Sequence, residues 1–222
     1  MTDPTPPPQR WPLGVCRLAW TSDAATASVA AQRLGFDHLD LVGDDDPEGL
    51  ALPVGIRMGP GPGRGWAWPA PAPHRDWDEM VARLRTVDEP RVEPWAGSLL
   101  GSDAAIHRLL DEVPGVRLVV DTGHVTQWGG DVLAFLPHAD HVQLRQAALG
   151  VGQLPAAQGE VDVRGVLGAL DSLDYSGLLS IEYFDLPHMG WPLDDPPRHA
   201  AELAEVVRPM LADLAAGREA TA

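Results

Sequence analysis

Short apolar runs alternate with longer amphipathic stretches along most of the chain. The clearest run spans residues 116–120, β-branched in character and bounded upstream by Pro114-Gly115. A run of that kind predicts a strand buried on both faces, as in a parallel sheet covered by helices. Residues 13–20, 36–42, 52–58, 91–95, 140–146 and 178–184 read as six further strands. Helical spacing fills the intervals at 24–34, 76–85, about 103–113, 126–136, 161–173 and 197–216. Ser22 or Asp23 can cap the first helix and Gly35 ends it. Gly129-Gly130 weakens the fourth. Residues 59–73 are dense in Gly, Pro and Trp, and are expected to lack regular structure. Trp66 and Trp68 favour a loop packed over one face, because indoles are costly to leave in water.

Strands alternating with helices select a parallel α/β architecture. The first strand leaves through Ala19-Trp20-Thr21-Ser22-Asp23, without the glycine-rich phosphate loop of an open doubly wound sheet. A TIM-type (β/α) barrel is therefore predicted. Seven strands in 222 residues suggest a shortened one, with one βα unit reduced or missing near 59–73. Residues 11–217 would form this single domain, between a disordered proline-rich tail at 1–10 and a short tail at 218–222.

Charge narrows the partners. There are 32 acidic and 16 basic side chains, a formal net charge of −16. That opposes binding to nucleic acid or anionic membranes. Cys16 is the lone cysteine, which excludes an intramolecular disulfide and a cysteine-based zinc site. No apolar run reaches membrane-spanning length, and a cytoplasmic location is expected.

Candidate chemistry gathers at the strand ends. Glu93, Asp121 with His124, Gln143 and Glu182 each fall near the exit of a late strand, with Gly123 allowing the turn after Asp121. In a barrel those exits converge on one mouth. Three carboxylates in one pocket repel unless a cation sits among them or a proton is retained. Oxygen-rich ligation suits Mg²⁺ or Mn²⁺, and a nearby histidine extends the choice to Co²⁺ or Zn²⁺. The simpler readings are that strands end at water, that Asp121 caps the next helix, and that His124 packs over the strand. Asp40 is read as facing the mouth. Arg17, Arg57 and Arg145 can hold an anionic or hydroxylated substrate, or pair with carboxylates inside the barrel. Trp20, Trp66, Trp68 and Trp95 sit at expected strand exits and suit an apolar or ring-shaped substrate. His188 and Trp191 are candidate lid residues. Substrate-selecting residues are expected in the 59–73 and 147–158 loops.

With these residues in place, the chain resembles the xylose isomerase-like barrels, in particular their sugar-phosphate isomerase/epimerase branch. The resemblance runs from about 13 to 184. It is strongest at Val92-Glu93-Pro94, Val120-Asp121-Thr122-Gly123-His124, His141-Val142-Gln143-Leu144-Arg145, Gly159-Glu160-Val161-Asp162 and Ile181-Glu182-Tyr183-Phe184. It implies that Glu93, Asp121 and Glu182, with Gln143 at the fourth position, hold one divalent metal, that Glu93 and Glu182 exchange protons with the substrate, and that His124 contacts it. Arg57, Arg145 and Trp95 are further candidate substrate contacts on residue chemistry alone. The implied activity is a metal-assisted isomerase, epimerase or dehydratase of carbohydrate metabolism, acting on a small polyhydroxylated carbonyl compound. A homo-oligomer is compatible with this reading.

One position departs from the pattern. The family reads His-x-His-Leu-x-Asp where this chain has His141, Gln143 and Gln146, and the second His is the ligand. A glutamine oxygen can ligate a hard cation, yet it is neutral and less basic than imidazole. His141 is expected on the opposite face of its strand from the site. The alternative is a metal-free barrel with altered lyase chemistry, or a non-catalytic small-molecule-binding protein. The related apurinic endonucleases are opposed by the acidic charge.

Overall fold

The computed structural model describes residues 10–61 and 65–220. Eight parallel strands close into a barrel. Seven come first: β1 (Leu13–Cys16), β2 (Leu39–Val42), β3 (Val54–Met58), β4 (Trp66–Pro69), β5 (Arg91–Glu93), β6 (Arg117–Asp121) and β7 (Ala139–Leu144). A separate antiparallel hairpin, β8 (Gln146–Ala148) and β9 (Val151–Leu154), interrupts the series. Then β10 (Leu178–Ile181) inserts between β7 and β1 and completes the ring, pairing Gly14 with Ser180 and Val15 with Ile181.

The βα unit expected to be reduced or missing near 59–73 is reduced, because its strand, β4, is present. Residues 59–73 hold a strand, which pairs Met58 with Ala67 on one side and Pro69 with Glu93 on the other. Its sequence, Trp-Ala-Trp-Pro, is too short and too proline-bounded to carry a strand signal. What the barrel lacks is a helix in each of the β2–β3 and β3–β4 connections; residues 62–64 of the second lie outside the described residues.

The other helices are α1 (Ala24–Arg33), α2 (Trp77–Leu84), α3 (Asp103–Glu112), α4 (Thr122–Gln127), α5 (Val132–Phe135), α6 (Val163–Ser172) and α7 (Pro196–Glu219). Asp23 caps α1 by accepting from the Thr26 N–H at 2.8 Å, and Asp76 caps α2 through the Glu79 N–H at 3.0 Å. The single helix expected at 126–136 is two, broken at Gly129, whose φ of 78° no ordinary helical residue adopts. The predicted tail at 1–10 lies outside the described residues up to position 9. Arg10 itself is held, donating to Asp171 at 3.0 Å, and Arg218 still belongs to α7. No described helix is long and apolar enough to cross a membrane.

Side chains alternate between the two faces of each strand. Leu118, Val120, Val142, Leu144, Leu179 and Ile181 point outward into the main core beneath the helices. The inward positions are polar to an unusual degree. Below the mouth, His141 Nε2 lies 2.8 Å from Asp40 Oδ2 and 2.7 Å from Ser180 Oγ, and the Ile56 N–H donates to Asp40 Oδ1 at 3.2 Å. Two expectations change here. Asp40 does not face the mouth; it is fully buried in this lower layer. His141 shares the face of Gln143, because residues two apart on a strand point the same way. Burial acts to raise the Asp40 carboxyl, but His141, His38 and Ser180 outweigh it and hold the group below the usual range.

Glycines make room for this layer. A Cβ on Gly14 would stand 2.1 Å from His38 Nε2, and one on Gly55 would stand 2.4 Å from Asp40 Oδ1. Gly14→Ala is therefore expected to cost about 1–3 kcal/mol by overpacking. Urea unfolding should show a lower midpoint with an unchanged slope.

Candidate active site

Three strand ends and one helix start build the cluster at the barrel mouth. Glu93 ends β5, Asp121 ends β6 and Glu182 follows β10, while His124 lies in the first turn of α4. One donor atom from each falls within 4.8 Å of the others, and all four residues are buried. His124 Nε2 lies 3.6 Å from Asp121 Oδ2 and 3.8 Å from Glu93 Oε1. Asp121 also caps α4, accepting from the Gly123 N–H at 2.7 Å. Capping fixes the carboxylate's orientation without removing it from the cluster.

Two neighbours from the β7 side complete the floor. Gln143 Nε2 donates to Glu182 Oε1 at 3.4 Å. Arg145, fully buried, ion-pairs with Asp121 through a close contact and brings its second terminal nitrogen to 3.8 Å from Glu182 Oε2. Its guanidinium carbon lies 4.7 Å from the Phe184 ring centroid. Gly123 is required by this approach and not by the turn. A Cβ there would meet Arg145 Nε at 2.4 Å.

Burial dominates the electrostatics. It raises the Glu93 carboxyl to about 8, with the Asp121 charge adding and Arg145 opposing. Burial, then Asp121 and Glu93, push Glu182 well above the usual range. Asp121 is held low, because Arg145 and His124 outweigh its burial. His124 falls to about 3 through burial, with Asp121 opposing and Arg145 adding, so its ring is neutral at pH 7. The cluster thus contains one fixed carboxylate and two carboxyls poised to hold protons.

Above this floor opens a cavity of about 400 Å³. Glu93, His124 and Glu182 form its polar end, and Trp95 and Trp191 its wall. The two indoles meet edge to face, with centroids 6.0 Å apart. Trp191 closes a turn that folds over the cavity, bonded to Leu186 by two backbone hydrogen bonds of 2.9 and 3.1 Å. Gln153 pins that turn by donating to the carbonyls of Phe184 and Trp191. The loops expected to select substrate thus contribute differently. The 59–73 segment supplies Pro69 and Ala70, and the 147–158 segment acts through Gln153. Leu186 and Met189 also line the cavity and carry no sequence signal, because the Leu186-Pro187-His188-Met189 stretch has no periodicity. Arg57 does not reach the cavity. It donates to the carbonyls of Gly43 and Asp45 and lies over Trp66.

A sequence profile described as "xylose isomerase-like TIM barrel" matches residues 27–210. The chain belongs to the xylose isomerase-like TIM barrel family. No curated protein matches it in sequence. Solved structures of similar fold include an L-ribulose 3-epimerase, at 16% identity and TM-score 0.70, covering 96% of this chain and 98% of that one. A xylose isomerase-like TIM barrel protein from Mycobacterium smegmatis in complex with magnesium aligns at 15% identity and TM-score 0.68, covering 92% and 97%. The probable dehydratase AsbF of Bacillus anthracis aligns at 12% identity and TM-score 0.66, covering 88% and 98%.

The donor set of this xylose isomerase-like barrel fits a divalent cation. Four buried donor atoms lie together, and Gln143 Oε1 and Glu182 Oε2 are buried acceptors without a hydrogen-bond partner among the described residues. Three carboxylates face one guanidinium, which leaves two negative charges when all are ionised. A divalent cation neutralises that remainder. Gln143→His would add a more basic donor where the amide stands. Titration calorimetry should then show Mn²⁺ or Co²⁺ binding about tenfold tighter or more.

Proposed function

We propose that the protein is a divalent-metal-assisted isomerase, epimerase or dehydratase that moves protons on a small hydroxy-carbonyl compound. One observation carries this reading: Glu93 and Glu182 stand together at the polar end of the mouth cavity, beside Asp121 and a neutral His124. Two carboxyls with raised affinity for protons suit general acid/base work near neutral pH. The fold's neighbours include proteins named for 3-epimerisation of ketoses and for dehydration, which supports the reaction class.

Glu93, Asp121, Gln143 and Glu182 would hold the cation, Mn²⁺ or Mg²⁺ by their oxygen donors. When bound, it supplies the positive charge that polarises a carbonyl oxygen. The chain's own groups do the rest. One glutamate removes the proton from the carbon beside the carbonyl, and the other returns it. Return to the neighbouring carbon isomerises; return on the opposite face epimerises; loss of a β-hydroxyl dehydrates. The neutral His124 ring donates a hydrogen bond to a substrate oxygen, and Arg145 keeps Asp121 ionised.

Metal analysis tests the proposal. Mn²⁺, Mg²⁺ or Co²⁺ is expected to copurify and to raise the melting temperature, and Glu93→Gln should remove that rise. If no divalent ion copurifies or stabilises the protein, the reading fails. The Arg145–Asp121 pair then favours the alternative of a metal-free barrel, in which a guanidinium serves as the resident cation.

A further inference from the structure

We propose that the substrate has an apolar, ring-bearing body and a single hydroxy-carbonyl end, and is neither a free sugar nor a phosphorylated one. This rests on the proton-transfer reading above and narrows its substrate. The cavity has a polar end and a hydrocarbon remainder. Away from Glu93, His124 and Glu182, its walls include Leu18, Val42, Met58, Phe184, Leu186 and Met189. The two indoles add no free donors. Trp95 Nε1 donates to the Ala70 carbonyl at 2.6 Å, and Trp191 Nε1 to Gln127 Oε1 at 3.3 Å. Both present carbon to the cavity.

Among the described residues, no cation lines the wall to hold a phosphate or a carboxylate. Arg145 lies beneath the carboxylates and is bound to Asp121, while Arg17 pairs with Asp45 and Arg57 with the Gly43 and Asp45 carbonyls. A ketose of five or six carbons would set two of its oxygens on the polar end and leave the others against leucine, methionine and aromatic carbon. Each buried hydroxyl without a partner costs about 1–3 kcal/mol, so such a ligand loses affinity with every added hydroxyl. An apolar ring gains there from burial and from stacking. Size agrees. Roughly 150 Å³ suffices for a benzene ring, so about 400 Å³ accommodates a fused ring or a ring with a short chain. The wall is also prearranged, since Gln153 holds both ends of the Phe184–Trp191 turn.

The test uses the full chain with Mn²⁺, and tryptophan fluorescence and calorimetry as readouts. Hydroxymethyl phenyl ketone and hydroxymethyl naphthyl ketone are compared with D-fructose, D-allulose and dihydroxyacetone phosphate. Each is also incubated in D₂O and examined by NMR for deuterium at the carbon beside the carbonyl. The aryl ketones are expected to bind at least tenfold tighter than any of the three carbohydrates. Met58→Gln should narrow that preference, and Trp191→Ala should weaken the aryl ketones about tenfold. Tighter binding by a ketose or by the phosphate, or no binding by either aryl ketone, overturns the inference. Deuterium separates the two readings. Aryl ketones that bind without exchanging leave the substrate class standing and remove the proton-transfer function; exchange into the ketoses alone does the reverse.

Discussion

Glu182→Gln is expected to reduce turnover by a factor of about a thousand while the barrel remains folded. General acid/base groups typically contribute about 10²–10⁴ in rate, and Glu182 is also one of the three carboxylates that set the charge of the site. The amide has the carboxyl's shape, so Gln143 can keep its hydrogen bond to position 182. Stability should move the other way. Burial pushes the Glu182 carboxyl well above its ordinary 4.5. A carboxyl whose folded-state proton affinity is raised stays protonated in the fold while the unfolded chain ionises. Folding stability therefore falls as pH rises above 4.5, and the amide carries no such penalty. In chelator, the variant should melt with the parent below that pH and above it at neutral pH. Turnover assays and thermal scans across pH check both halves. Unchanged turnover removes Glu182 from the acid/base pair.

The difference between what was legible in the chain and what was not follows from local physics. β6 is plain because a β-branched run buried on both faces has few other solutions. The acids at its end and at the ends of its neighbours are plain because a barrel brings strand exits together. β4 is hidden, since four residues of Trp, Ala and Pro carry no periodic signal. Its place is set by the strands on either side. Arg145 admitted two sequence readings, substrate contact and internal ion pairing, and the buried contact with Asp121 selects the second. Gly123 has no positive φ, and the guanidinium that requires its bare Cα comes from more than twenty residues further along. His141 lies two residues before Gln143 on β7, so the same alternation puts both on the inward face.

Arg145→Met should have the largest effect on stability. In chelator it is expected to destabilise the fold by about 3–5 kcal/mol, the usual result of removing one partner from a buried ion pair. The reason lies in what remains. Asp121 is fully buried, and its carboxyl is held low against that burial by Arg145 first, then His124 and the Gly123 N–H. Without the guanidinium, three carboxyls within 4.8 Å share no cation, and Asp121 must take up a proton or leave the α4 cap. In a domain of this size the melting temperature should fall by roughly 6–20 °C. Mn²⁺ should reverse the order of effects. The variant has lost the charge that opposes a divalent ion, so the cation should bind it more tightly and recover more stability in it than in the parent. Thermal unfolding with and without Mn²⁺, at matched free-metal concentration, measures both. If metal stabilises the two proteins equally, Arg145 does not oppose the cation. If the variant melts with the parent in chelator, the Arg145–Asp121 pair does not hold the mouth of the barrel together.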